Sequence, residues 1–150
     1  MAIAYLLSGS NLGNKSENLR VASQQLTLRA GNLLKASSVV ESPPWGFEHP
    51  ESFYNQVYLL ETQLAPHALM QTLLDIENEM GRIRKQGQYE ARRIDLDILF
   101  YDKMVVQNDR LEIPHPRLHL RRFTLVPLCE IAPDYVHPLL KRTVKELLAV

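Results

Sequence analysis

Apolar residues recur along this chain at two different periods, and the switches between the periods predict its elements. Residues 2–7 form a short apolar run closed by Ser8 and Gly9, which predicts a buried strand followed by a turn. Leu19, Ala22 and Leu26 then recur at helical spacing, predicting a helix over 16–30 with Ser16 as its N-cap and Gly31 as its stop. Residues 33–40 predict a second strand. Pro43, Pro44, Gly46 and Pro50 make 41–51 a long loop. Residues 53–60 alternate, placing Phe53, Asn55, Val57 and Leu59 on one face of a third strand. Pro66 suits the first turn of a helix whose buried stripe is Leu69, Leu73, Ile76 and Met80, ended by Gly81.

The basic stretch 82–93 predicts another loop, and 94–101 a fourth strand with Ile94, Leu96, Ile98 and Phe100 on one face and Asp95 and Asp97 on the other. Beyond it, 104–107 and 111–113 predict short strands, 118–131 a helix despite Pro127, and 143–148 a closing helix. The order strand, helix, strand, strand, helix, strand predicts an α+β fold, a ferredoxin-like antiparallel sheet with helices packed mainly on one face.

Length and composition narrow the class. A chain of 150 residues with 45% hydrophobic content is expected to form one domain with its own core. With no apolar run of about eighteen residues and no leader pattern, it is expected in the cytoplasm, away from membranes. Cys129 is the only cysteine, so no intramolecular disulfide forms, and its apolar surroundings mark it as a small buried hydrophobe. Seventeen basic residues balance seventeen acidic ones, which argues against a general nucleic-acid binder. Distribution matters more than the sum. Ten of the seventeen basic side chains lie within 82–122, a concentration that suggests a compact polyanion as ligand.

Asp95 and Asp97 project from one face of a strand with alpha carbons roughly 6.6 Å apart, a separation suited to two oxygen-ligated cations. Magnesium takes one or two carboxylates and completes its shell with water and phosphate oxygens. Arg82, Arg84, Lys85 and Arg92 precede that strand directly, and arginine's planar fork grips phosphate oxygens in pairs. Glu77 stands one turn before this loop. His115 is held in the stiff run Ile113-Pro114-His115-Pro116-Arg117, and Arg121 follows, so a directed imidazole and a guanidinium are available to a phosphate. Phe53 and Phe123 can stack on a flat heterocycle whose edge Asn55 reads, with Ser42-Pro43-Pro44-Trp45 as a rim. The segment Gly9 to Ser16 imitates a Walker A loop but fails its spacing, since Asn14 separates Gly13 from Lys15. It reads as a tight turn.

Taken together these motifs resemble 6-hydroxymethyl-7,8-dihydropterin pyrophosphokinases of folate biosynthesis. The resemblance runs in order through Gly9-Ser10-Asn11-Leu12-Gly13, Ser42-Pro43-Pro44-Trp45-Gly46, Phe53-Tyr54-Asn55, Gly81-Arg82-Ile83-Arg84, Arg92-Arg93-Ile94-Asp95-Leu96-Asp97 and Ile113-Pro114-His115-Pro116-Arg117. It closes in Phe123-Thr124-Leu125-Val126-Pro127-Leu128 and Glu130-Ile131-Ala132-Pro133, covering nearly the whole chain. It implies that ATP gives its terminal pyrophosphate to the pterin's hydroxymethyl group, leaving AMP. Asp95 and Asp97 would hold two magnesium ions, and Arg82 and Arg92 would act on the transferring phosphates. The family pattern places Ile98, Arg110, His115 and Arg121 at ATP, and Glu77 and Arg84 are further candidates for the same site. The pattern places the pterin between Phe53 and Phe123, beside Asn55 and the segment from Ser42 to Trp45. Glu90-Ala91 stands where members commonly have Gly-Pro, and Tyr89 is a candidate lid. A monomer acting on two small molecules is expected. Two other readings stay open: a non-catalytic ferredoxin-like module binding a ligand or RNA, and an ordinary kinase that forms ADP.

Overall fold

The computed structural model describes residues 1–42, 52–81 and 94–150. A single antiparallel sheet organises them. Strand β1 (Ala2–Ser10) runs down the middle, flanked by β4 (Phe53–Thr62) on one side and β5 (Asp95–Tyr101) on the other. The outer edge of β4 carries two short strands in succession, β2 (Asn32–Ala36) and β3 (Val40–Ser42). A separate two-stranded hairpin, β6 (Val106–Gln107) with β7 (Glu112–Ile113), lies further along the chain.

Helix α1 (Lys15–Arg29) starts one residue before the expected cap. Its N-cap is Asn14, not Ser16, because the Asn14 side-chain oxygen accepts the Glu17 N–H at 3.1 Å. At the far end Gly31 adopts a φ of +154° where its backbone lies against the Glu61 carbonyl, a contact that any Cβ would obstruct. Helix α2 (Pro66–Glu79) begins on proline as expected and buries Leu69, Leu73 and Ile76. An Arg29–Glu79 ion pair joins the ends of the two helices.

Both helices cover one sheet face, where Leu6, Tyr58, Leu60, Leu96 and Ile98 meet Leu19, Leu26, Leu69 and Leu73. The C-terminal α3 (Arg122–Ile131) and α4 (Val144–Ala149) cover part of the other face, with Leu125, Leu128, Val144 and Leu147 against Tyr5, Leu7, Val57 and Leu99. The sheet is therefore buried on both sides over part of its length. The end of this second face that α3 leaves open is where the cleft lies.

Four further expectations are corrected. Residues 8–10 continue β1 instead of turning, paired with Gln56, Asn55 and Tyr54. The strand expected over 33–40 is two strands, because at Ser37 the side-chain hydroxyl takes the place of a carbonyl in accepting the Val57 N–H of β4, and Ser38 turns its N–H to Glu130 on α3. The helix expected over 118–131 is a 3-10 turn at Leu118–Leu120, an extended Arg121, and then α3, which carries Pro127 internally. Phe100 does not share a face with Ile98: the register slips between Tyr5 and Leu6, leaving Leu99 as an extra residue opposite no partner, and Phe100 rotates to the second face.

Candidate active site

Strand register builds the floor of the cleft. Gly9 on the central strand pairs with Asn55 on one side and with Asp95 on the other, while Leu7 pairs with Asp97. Because side chains alternate, all of these face the same way. With strands about 4.8 Å apart, the amide of Asn55 and the carboxylate of Asp95 stand roughly 10 Å from each other across the bare Cα of Gly9. Above this floor is a cavity of about 170 Å³ lined by Leu7, Gly9, Ser42, Phe53, Asn55, Asp95, Asp97, His115, Arg121 and Phe123. A dry cavity of roughly 150 Å³ is known to hold a benzene ring, so this space suits a small flat heterocycle.

On the Asn55 side, β3 lies along β4 with Ser42 opposite Phe53 and Val40 opposite Asn55. Asn55 is 3% exposed, and its side-chain nitrogen donates to Ser42 Oγ at 2.8 Å and to the Val40 carbonyl at 3.4 Å. Its nitrogen being so engaged, the group offers Oδ1 to a ligand N–H. Gly9 makes room for this arrangement: a Cβ there would lie 3.1 Å from Asn55 Oδ1 and 3.6 Å from Phe53 Cδ1. Phe123 enters from the first turn of α3, with the Arg121 guanidinium 5.6 Å from its ring centre.

On the opposite side, Asp95 and Asp97 are half-buried and separated by Leu96, whose side chain points into the core. Among the described residues no three His, Cys, Asp or Glu side chains gather closely enough to hold a metal by themselves. Two carboxylates without a closed cage fit magnesium, which keeps positions for water and phosphate oxygens, and do not fit a structural zinc site.

His115 sits between the two halves. Its backbone N–H donates to the Leu99 carbonyl at 3.0 Å, so the strand irregularity at Leu99 also seats this residue. Burial pushes its pKa down to about 4, helped by the charges of Arg121 and Arg117 and opposed by Asp95. The imidazole is neutral near pH 7. Nδ1 accepts the Arg117 N–H at 3.1 Å, which leaves the ring proton on Nε2 as a donor.

The cavity thus brings together Ser42, Phe53, Asn55, Asp95, Asp97, His115, Arg121 and Phe123. Three residues expected at ATP stand outside the set that lines this cavity. Glu77, expected at ATP, is 1% exposed and accepts the Leu96 N–H at 2.7 Å, behind the acids and not among the lining residues. Ile98, also expected at ATP, is 3% exposed with its side chain in the core under α1 and α2. Arg110 lies exposed beside the β6–β7 hairpin, its N–H bonded to Asn108 Oδ1 and its side chain outside the lining set. Arg82, Arg84, Lys85, Tyr89 and Arg92 lie outside the described residues, as do Pro43, Pro44 and Trp45. Sequence reasoning missed Gly9 and Leu7 as lining residues, because Ser8 and Gly9 read as the end of a strand that continues to Ser10.

The sequence model of the 7,8-dihydro-6-hydroxymethylpterin-pyrophosphokinase family matches residues 5–133. A 2-amino-4-hydroxy-6-hydroxymethyldihydropteridine pyrophosphokinase from Porphyromonas gingivalis is 43% identical over 141 residues, spanning 92% of this chain and 95% of that protein. The protein of the same description from Haemophilus influenzae is 42% identical over 139 residues, spanning 92% and 86%. Among solved structures, a crystal structure of an HPPK-DHPS in complex with substrates superposes with a TM-score of 0.81 at 16% identity. That superposition covers 99% of this chain and 43% of the other, so this chain spans less than half of that longer protein's length.

Proposed function

The chain belongs to the 7,8-dihydro-6-hydroxymethylpterin-pyrophosphokinase family, and from that premise we propose that it transfers the terminal pyrophosphate of ATP to the hydroxymethyl group of 6-hydroxymethyl-7,8-dihydropterin in folate biosynthesis. The hydroxyl oxygen forms a bond to the beta phosphorus, the bond from that phosphorus to the oxygen bridging the alpha phosphorus breaks, AMP leaves, and the hydroxyl proton passes to solvent. One observation carries the reading: a single cavity is lined by two phenylalanines, with the Asn55 amide and the two carboxylates on opposite sides of the central strand. A stacked heterocycle and a polyphosphate can therefore meet inside it.

In this reading Phe53 and Phe123 stack on the pterin, and Asn55 and Ser42 read its edge. Their placement about two strand spacings from Asp95 leaves the hydroxymethyl arm directed toward the phosphates. Neutral His115 donates from Nε2 to a phosphate oxygen, and Arg121 adds a charged fork beside it. Magnesium held by Asp95 and Asp97, two ions in this reading, would supply neutralisation of the polyphosphate charge. Arg82, Arg84 and Arg92, with Pro43, Pro44 and Trp45, are assigned to the phosphates and to the pterin rim on the family's pattern alone. Glu77 supports the acids from behind. The proposal includes a monomer working as one domain in the cytoplasm. No helix among the described residues is long and apolar enough to cross a membrane. A formal net charge of zero supports small-molecule substrates over nucleic acid.

Phosphorus NMR of a mixture of protein, ATP, magnesium and 6-hydroxymethyl-7,8-dihydropterin tests this directly. AMP and a pterin diphosphate are expected in equal amounts. Formation of ADP, or AMP release that ignores the pterin, would reject it.

A further inference from the structure

The motif Glu130-Ile131-Ala132-Pro133 has no part in the cleft, yet its first residue joins the cleft's two walls. Glu130 and Phe123 are seven residues apart on α3, which is about two turns, so they share a helix face about 10.5 Å apart along the axis. From that face the Glu130 carboxylate reaches the segment between β2 and β3. The Ser38 N–H donates to both carboxylate oxygens, at 3.1 and 3.0 Å, and the Ser38 hydroxyl donates to Oε1 at 2.8 Å.

The neighbouring residue is held from the other side. Ser37 is buried; its N–H donates to the Val57 carbonyl at 2.9 Å, and its hydroxyl accepts the Val57 N–H at 2.9 Å. Its carbonyl accepts from Gln56 Nε2 at 2.7 Å. Ser37 thus fastens the entry of β3 to the sheet, and Ser38 fastens it to α3. Four residues beyond Ser38, Ser42 Oγ holds the Asn55 amide. One wall of the cleft, Phe123, rides on the helix; the other, Ser42 with Asn55, rides on the strand. Glu130 is a polar link between them.

We propose that Glu130 is a positioning residue for the heterocyclic substrate, setting the distance between the Phe123 ring and the Ser42–Asn55 edge. The proposal rests on the pterin reading above, because a flat bicycle stacked on Phe123 must at the same time bring its edge within hydrogen-bond reach of Asn55 and Ser42. A gap widened by 0.5–1 Å already forfeits about a quarter to a half of the contact energy of facing atoms. The bonds between Glu130 and Ser38 are open to solvent, so their loss should loosen the wall without unfolding the protein.

Glu130→Ala and Glu130→Gln test this by equilibrium titration. Hydroxymethyldihydropterin is titrated with magnesium and a non-hydrolysable ATP analogue present, the analogue is titrated alone, and amide exchange at Ser38 is followed by NMR. Glu130→Ala is expected to weaken pterin binding roughly fivefold, to leave the analogue within about twofold, and to speed Ser38 exchange. Glu130→Gln keeps one acceptor oxygen and should fall between Glu130→Ala and the parent. Unchanged pterin affinity in Glu130→Ala, or an equal loss for both ligands, would overturn the proposal. Failure of the parent protein to bind pterin would instead overturn the functional reading; unchanged Ser38 exchange in Glu130→Ala would then overturn the link itself.

Discussion

Glu77 Oε2 accepts the backbone N–H of Leu96 at 2.7 Å, so a carboxylate from α2 grips the main chain between Asp95 and Asp97. Among the described residues strand β5 is the edge of the sheet, and its alternate N–H groups point away from β1 with no ladder partner there. Glu77 fills that vacancy at the one peptide whose movement would change the spacing of the two acids. Glu77→Ala leaves the Leu96 N–H buried without this acceptor, at a cost of about 1–3 kcal/mol in stability. It should also raise the magnesium concentration needed for half-maximal turnover, whereas Glu77→Gln, which keeps an acceptor, should shift both less. Thermal denaturation and a magnesium titration of AMP formation check the pair; unchanged magnesium dependence in Glu77→Ala would show that the grip does not serve the acids.

Asp97→Ala separates chemistry from folding. Asp97 is half-buried at the cleft and faces away from the core beneath the helices, so its removal takes little packing with it. The charge stabilisation assigned to a metal it helps hold is several kcal/mol, which corresponds to about 10² to 10³ in rate. Turnover should fall by at least that much while the circular dichroism spectrum and melting temperature stay close to the parent. Near-normal turnover would remove the metal assignment.

Much of the fold was legible because it is written in apolar period, and the strand and helix order needs little else. Leu69, Leu73 and Ile76 announced α2, and the same stripe, continued from Leu73 by four residues, falls on Glu77. A carboxylate on a buried stripe was the readable sign that Glu77 faces inward. The bulge at Leu99 was not legible, because Ile98, Leu99 and Phe100 are all apolar and alternation cannot tell which of three such residues is the extra one. Nor was the break at Ser37 and Ser38, whose hydrogen bonds go to Val57 and to Glu130 92 positions away. Local pattern carries no information about partners so distant. For the candidate site, residue types showed which side chains suit phosphate or heterocycle, but the row Asn55, Gly9, Asp95 depends on register across three strands.

Gly9→Ala probes that row. No left-handed backbone conformation is required at Gly9, so alanine brings no backbone strain, and its effect should come from the methyl group alone. That methyl would press on Asn55 Oδ1 at 3.1 Å and touch Phe53 at 3.6 Å, in the half of the cleft assigned to the heterocycle. Pterin affinity should fall about tenfold, or 1.4 kcal/mol, with binding of an ATP analogue nearly unchanged. Isothermal titration with each ligand reads the two effects apart, and a larger loss for the nucleotide would contradict the division of the cleft.

Acid should destabilise the protein through two histidines. His115 and His137 both have pKa values lowered to about 4, each chiefly by burial, with Arg121 and Arg117 adding to the first and His119 to the second. The ordinary value of 6.5 applies once the chain unfolds, so between about pH 6.5 and 4 the unfolded chain takes up protons that the folded one refuses. Their contribution to stability is therefore complete above pH 6.5 and is lost as pH falls to 4. His137 allows a clean test because its Nδ1 accepts the N–H groups of Leu139 and Leu140 at 3.1 and 3.0 Å. His137→Asn places an amide oxygen near the same position, keeps both bonds and cannot be protonated. Urea denaturation across pH 7.5 to 4.5 should give a shallower loss of stability for His137→Asn than for the parent, by up to one proton in slope. Identical slopes would mean that His137 binds protons equally well in both states.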